Sequence, residues 1–258
     1  MRIKTTVMLL CGLAMLGGFA AAETVEEIVA ANLEAKGGEE AWMALETGRM
    51  SGTMRMGGGA AGALEMPFTV EFKKPHMMRL EFTMQGMTAV QAFDGETGWA
   101  IMPFLGKTEP EEMAEDQVKQ LKDQADFEGP LVNYKEKGHT VEFVSKEEVD
   151  GTPAFKLKVT KENGDVDTLY LDEEYFVEFK MEAQREVQGN EVMVSTVLGD
   201  YKEVDGLLFA HSMEMAFGGG EVQQVITVNS IELGVELADD RFAMPEKAEA
   251  EAEAPAAE

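Results

Sequence analysis

The sequence predicts a mainly β protein with a few helices, built as one large, strongly curved antiparallel sheet. Two observations carry this. About a dozen short segments alternate apolar and polar residues with period two, the mark of strands with one buried and one wet face. Turn residues separate them at short spacing, with Asp94-Gly95, Asp150-Gly151, Asn163-Gly164 and Asp205-Gly206 at hairpin corners and no βαβ rhythm. A curved sheet of this size has one apolar concave face. Two or three amphipathic helices with narrow stripes cover only part of it, which leaves a cavity in which binding would occur.

The chain opens with the pattern of an export leader. Arg2 and Lys4 precede a run of apolar and small residues from Val7 to Ala21, and Ala20-Ala21-Ala22 offers a cleavage site before Glu23. The apolar run is too short and too rich in Gly and Ala for a comfortable membrane span. Cys11 lies in the middle of it, preceded by Leu10 rather than by the small residue that a lipid-attachment signal needs. Residues 1–22 are therefore expected to be removed, which leaves residues 23–245 as one exported domain without cysteine. Residues 246–258, almost all Ala and Glu, are expected to form a disordered acidic tail. The net charge of −27 argues against nucleic acid and against broad docking on anionic lipid.

In chain order, Thr24-Val25-Glu26-Glu27 is a capping box, followed by an apolar stripe of Val25, Ile28, Val29 and Leu33 and a stop at Gly37-Gly38. A short helix over Glu39–Leu45 carries Trp42 and Leu45 inward. Strands begin near Thr47, with Met50, Met54 and Met56 on one face, and a glycine-rich loop runs from Gly57 to Gly62. Phe68 to Pro103 forms four or five strands, in which Phe68, Val70 and Phe72, then Met78, Leu80, Phe82 and Met84, face inward. Thr108 caps a predicted helix over Glu109–Ala125, whose narrow stripe includes Val118 and Leu121. After a loop at 127–138, in which Leu131 and Tyr134 can pack, period two returns from Thr140 to Leu233.

Several motifs in this order resemble the LolA-like proteins, the outer-membrane lipoprotein-sorting family. They are Gly37-Gly38 after the first helix, Gly52, Lys74-Pro75-His76-Met77-Met78-Arg79, Phe93-Asp94-Gly95-Glu96-Thr97-Gly98-Trp99, Pro103, and then a helix. Each motif is short; their order across residues 23–245 and the leader carry the resemblance. The chain is longer than the lipoprotein carriers, with extra strand material after Thr140. The resemblance implies an unclosed β-barrel with a helical lid over a hydrophobic cavity. It also implies a periplasmic carrier of lipid or lipoprotein acyl chains, with membrane-bound transport components as further partners. The chain is expected to act as a monomer, and no cofactor is implied.

The expected cavity lining is Met50, Met54, Met56, Phe68, Val70, Phe72, Met78, Leu80, Phe82, Met84, Phe93, Trp99, Val118 and Leu121. Any one methionine among them reads as core filling. As a group they read as a flexible, polarisable surface suited to varied apolar ligands. Trp99, next to the Asp94-Gly95 hairpin, reads as a structural plug rather than a ligand stacker, yet is the best aromatic candidate at a rim. Arg79 points outward by this register and reads as a solvated strand charge. His211, Met213 and Met215 share one strand face, a set of donors that also suits Cu(I), although an inward face with one satisfied histidine explains it more simply. His76, His139 and His211 are scattered, and the chain lacks a nucleophile elbow or a phosphate-cradling glycine motif. Catalysis is not expected, and no metal site is assigned. The other reading is a sensor or scaffold domain of the same fold with a filled core.

Overall fold

The computed structural model describes residues 24–57, 63–187 and 190–246. The leader, most of the Gly57–Gly62 loop and the Ala/Glu tail lie outside the described residues. The first helix, α1 (Val25–Ala35), starts at the expected capping box. The Thr24 hydroxyl accepts from the Glu27 amide, and the Glu27 carboxylate accepts from the Thr24 amide. It ends at Gly37, whose φ of +107° only glycine adopts cheaply. A Cβ there would also stand 2.2 Å from the Gly206 carbonyl oxygen, so the turn is pressed against the hairpin at Asp205-Gly206. The second helix, α2 (Glu39–Ala44), follows at once.

Among the described residues, thirteen strands form one antiparallel sheet. They are β1 (Thr47–Met56), β2 (Leu64–Lys73), β3 (Met77–Met84), β4 (Met87–Phe93), β5 (Gly98–Met102), β6 (Lys107–Glu112), β7 (Thr140–Val149), β8 (Thr152–Thr160), β9 (Val166–Asp172), β10 (Glu178–Val187), β11 (Asn190–Val204), β12 (Leu207–Phe217) and β13 (Val222–Leu233). The spatial order is β6-β5-β4-β3-β2-β1-β13-β12-β11-β10-β9-β8-β7. Each hairpin partner is thus a neighbour in sequence, except that β1 pairs with β13. That pairing joins two meanders in the middle of the sheet and leaves β6 and β7 as its free edges. Bulges at Ser51/Gly52, Phe143/Ser145, Glu178/Lys180 and Met215/Ala216 add local twist and help the sheet to curl.

Because the free edges are consecutive in sequence, the chain must cross the open side of the sheet between them. It does so through α3 (Glu115–Gln124) and the turns over residues 125–139. The helix expected from Glu109 therefore starts later. Residues 107–112 instead pair with β5 as an edge strand, with Ala100 opposite Glu111 and Trp99 opposite Glu112. An edge strand accommodates Pro110, which has no amide to donate, and leaves Glu109, Glu111 and Glu112 in solvent. The expected stripe survives the change: Val118, Leu121 and Ala125 still face the sheet.

The main core fills one end of the concave side. Ile28, Val29 and Leu33 of α1 and Trp42 of α2 pack with Phe72, Phe155, Leu157 and Phe209 of the sheet and with Leu131 and Val132 of the crossing segment. Phe127 stacks on Phe72 at 3.9 Å, and Trp42 donates to the Lys36 carbonyl. On the convex side, residues 237–244 form a strap. Phe242 is fully buried, its carbonyl accepts from Trp99 Nε1 at 2.8 Å, and Met244 packs on Val90, Ala92 and Trp99. The Arg241 guanidinium reaches the buried Glu71 carboxylate at 2.6 Å, which also accepts from Arg49 at 3.0 Å. We expect Phe242→Ala to lower unfolding free energy by about 3–5 kcal/mol, the usual loss for a buried phenylalanine, read as a fall in the denaturant midpoint.

Candidate functional site

Strand pairing sorts the expected lining residues into four places. Met50 and Phe72 belong to the main core under α1 and α2. The Phe72 ring lies over Gly48, where a Cβ would be 2.2 Å away. Val70, Met78, Leu80 and Phe93 form a second cluster, closed by Val118 and Leu121 of α3. The helix approaches so closely at Gly98 that a Cβ there would be 2.9 Å from Val118 and 3.4 Å from Leu121. Met54, Met56, Phe68, Phe82 and Met84 occupy the other end of the concave face, where Phe68 is buried, Phe82 meets the Phe104 ring at 5.9 Å and Met56 is exposed.

Trp99 does not line this face. It pairs with Ala92, and Ala92 with Arg79, whereas Phe93, Met78 and Phe72 point to the opposite side. Trp99 is fully buried beneath the C-terminal strap, where its indole N–H is already used. Its position next to a hairpin carries no indication of which face is covered from 143 residues further along. Arg79 does point to the convex side as the alternation predicts, but it is not a solvated charge. Its side chain is 14% exposed, it donates to Glu81 at 2.8 Å and to the Arg241 carbonyl at 3.1 Å, and it lies 5.5 Å from the Trp99 ring centre.

The less covered end of the concave face is a trough. One row across it runs Leu198, Met213, Ile226, Met54 and Met66, each paired with the next on adjacent strands. The neighbouring row runs Leu169, Met181, Thr196, Met215, Gln224, Met56 and Leu64. Leu169 and Met181 enter the main core, while at the far end Met56 and Leu64 are 44% and 39% exposed and Met66 is buried. Gly52 forms part of the floor: a Cβ there would stand 2.9 Å from the Phe68 ring and closer still to the Thr227 carbonyl oxygen. In the sequence, Met213 and Met215 share one face with no sign that Met54 and Met56 lie beside them. The pairing of β1 with β13 joins the two sets, and it is invisible to local periodicity.

Polar groups mark one rim. Lys119 of α3 pairs with Asp165 at 3.0 Å, and Asp123 of α3 pairs with Lys161 at 3.2 Å. Lys161 and Arg185 both reach the buried Asp167, at 3.0 and 2.8 Å. A cleft of about 280 Å³ lies here between α3, the β8–β9 turn, β10 and β11. The helix is therefore held by apolar contacts to β3, β4 and β5 on one side and by ion pairs to the β8–β9 hairpin on the other. His211 is buried on the sheet and its Nδ1 lies 3.0 Å from the Phe209 carbonyl oxygen. Among the described residues no group of three or more His, Cys, Asp or Glu side chains is placed to hold a metal ion. No helix among them is long and apolar enough to cross a membrane.

An open antiparallel half-barrel crossed by a helix is the LolA-like fold, and solved structures agree. A LolA superfamily protein from Nitrosomonas europaea aligns with a TM-score of 0.59 at 16% identity, over 86% of this chain and 98% of its own. A putative outer-membrane lipoprotein-sorting protein domain from Vibrio parahaemolyticus aligns at 0.55 and 13%, over 84% and 94%. A DUF1329 family protein from Desulfovibrio piger aligns at 0.59 and 10%, over 86% and 98%. No family model and no curated protein sequence matches the chain.

The close seat of α3 on Gly98 makes a specific prediction. Gly98→Val would push Val118 and Leu121 off the sheet, so the α3 amides should exchange with deuterium at least about tenfold faster while those of β8–β13 keep their protection.

Proposed function

We propose that this protein is an exported carrier that shelters an acyl chain of a lipid or lipoprotein in the methionine-rich trough, with α3 as its lid and no chemical step. The observation that supports the reading best is the trough itself. Its two rows, apolar except for Thr196 and Gln224, lie on the concave face of a LolA-like sheet, and the packed clusters do not extend over its open end. Burying a methylene stabilises by about 0.8 kcal/mol, so one long chain supplies useful affinity without specific polar contacts. Flexible thioethers adapt to the chain that is present. In this reading residues 1–22 direct export to the periplasm and are removed, residues 23–245 act as one monomeric carrying domain, and the acidic tail remains outside it. Membrane-bound components that load and unload the carrier are its expected partners.

Gating follows from how α3 is held. Its ion pairs to the β8–β9 hairpin are the contacts that salt weakens, whereas its apolar seat on β3–β5 is not screened. Opening would then swing the helix away from the hairpin and admit or release the chain.

A sensor or scaffold domain without cargo is the second reading. The filled half of the concave face, where α1, α2 and residues 127–138 pack, favours it. Native mass spectrometry of protein purified from membranes separates the two readings: a bound lipid or lipoprotein is expected. The carriage reading fails if none co-purifies and a fluorescent acyl probe does not bind. Met56→Glu, at an exposed trough position, should weaken probe binding about tenfold or more with little change in melting temperature. Lys119→Glu should speed probe release by up to about fivefold, the scale of a partly exposed ion pair, and added salt should narrow the difference from the wild type.

A further inference from the structure

Among the described residues of the trough rows, Thr196 is the buried polar side chain that has no use within the protein. It is 4% exposed, and its hydroxyl has no hydrogen-bond partner. It lies in β11 between Met181 and Met215 on the neighbouring strands, at the boundary where the main core gives way to the trough. A buried hydroxyl left unpaired loses its hydration with nothing in return, so a position of this kind calls for a partner that arrives from outside.

The surroundings define what kind of partner fits. Two residues along the strand, about 6.8 Å toward the rim, the row is Asp167, Ala183 and Val194. Beyond it lies the cleft beneath α3. Its carboxylates are Asp116, Asp123, Asp165 and Glu191, its cations are Lys119 and Arg185, and Lys161 stands beside it between Asp123 and Asp167. All three cations are engaged, Lys119 by Asp165, Arg185 by Asp167, and Lys161 by Asp123 and Asp167. A free carboxylate entering here would meet a negative rim whose cations are already neutralised. A neutral or amine-bearing head would not. In the other direction from Thr196 the face is apolar, with Leu198, Met213, Ile226 and Met54 in the next row.

We infer that the trough selects an acyl ester over a free fatty acid, with the Thr196 hydroxyl donating to the ester carbonyl. The uncharged or amine-bearing head lies in the cleft beneath α3, and the chain runs across the methionine rows. This rests on the acyl-carriage reading and adds an orientation and a selectivity to it. The flanking Met181 and Met215 side chains have the rotational freedom to let the carbonyl reach the hydroxyl.

The test uses the full purified and delipidated chain, titrated with three ligands of one chain length: a monoacylglycerol, its ether analogue without the carbonyl, and the free fatty acid. The wild type should bind the ester about five- to tenfold more tightly than the ether, the scale of one hydrogen bond. Thr196→Val should remove that advantage and leave ether binding unchanged, and Thr196→Ser should retain it. The fatty acid should bind more weakly than the ester at about pH 8, where its carboxyl is ionised. Melting of lipid-free Thr196→Val should be unchanged or raised, because an unpaired hydroxyl is replaced by an isosteric methyl. Equal losses for ester and ether, no loss for either, or a fatty acid that binds as tightly as the ester would overturn the inference and leave acyl carriage standing. If the wild type binds none of the three, acyl carriage fails and this inference fails with it.

Discussion

The pairing of β1 with β13 is the constraint on which the rest of this architecture depends. It joins the start and the end of the folded chain in the middle of the sheet. The strands that follow β1 run outward to β6, and those that precede β13 run outward to β7. The two free edges are therefore neighbours in sequence, and whatever links them has to cross the opening of the half-barrel. The position of α3 is thus set by topology as much as by its own stripe. An edge strand such as β6, crowded with Glu109, Glu111 and Glu112 and interrupted by Pro110, also resists pairing with another chain.

The same pairing divides the labour between the two faces. On the convex side the β1–β2 hairpin sets Arg49 opposite Glu71, and the strap that follows β13 brings in Arg241 to complete one ionic cluster. Glu71 is 2% exposed, and two guanidiniums offset the cost of burying its charge. On the concave side the sheet offers more apolar surface than three short helices can cover. The helices and the crossing segment fill the end near the Gly37 and Gly206 turns, and α3 takes a patch on β3 to β5. What is left over is rich in methionine and bounded by a polar rim. The walls of that trough are flexible side chains, and its two ends differ in polarity.

Much of this is legible in the residues. The capping box at Thr24, the strand alternation from Phe68 to Met84, the single-sheet class and the stripe through Val118 and Leu121 all reflect local chemistry, and all are present in the fold. The start of α3 is not, because Thr108 and Glu109 satisfy a local helix signal, while the pairing of residues 107–112 with β5 satisfies more backbone groups. Trp99 reads both as a structural plug and as a cavity aromatic, because a ring beside a hairpin carries no mark of the face to which it turns; the plug is what the fold shows. Arg79 is turned outward as its alternation predicts, yet it is not solvated, because the strap residue that covers it lies 162 positions away.

Local sequence settles the class of the fold, the order of its elements and which residues of each strand share a face. These depend on neighbours two to four positions apart, and alternation and capping record them. Which of those faces are covered, and by what, emerges in the folded chain alone. Folding brings Met54 and Met66 beside Ile226 and Met213 across β1 and β13, places Trp99 under Phe242, and leaves the Thr196 hydroxyl buried without a partner. The reason is that burial is a property of long-range pairing, and registers between strands far apart in sequence leave no local periodicity to read.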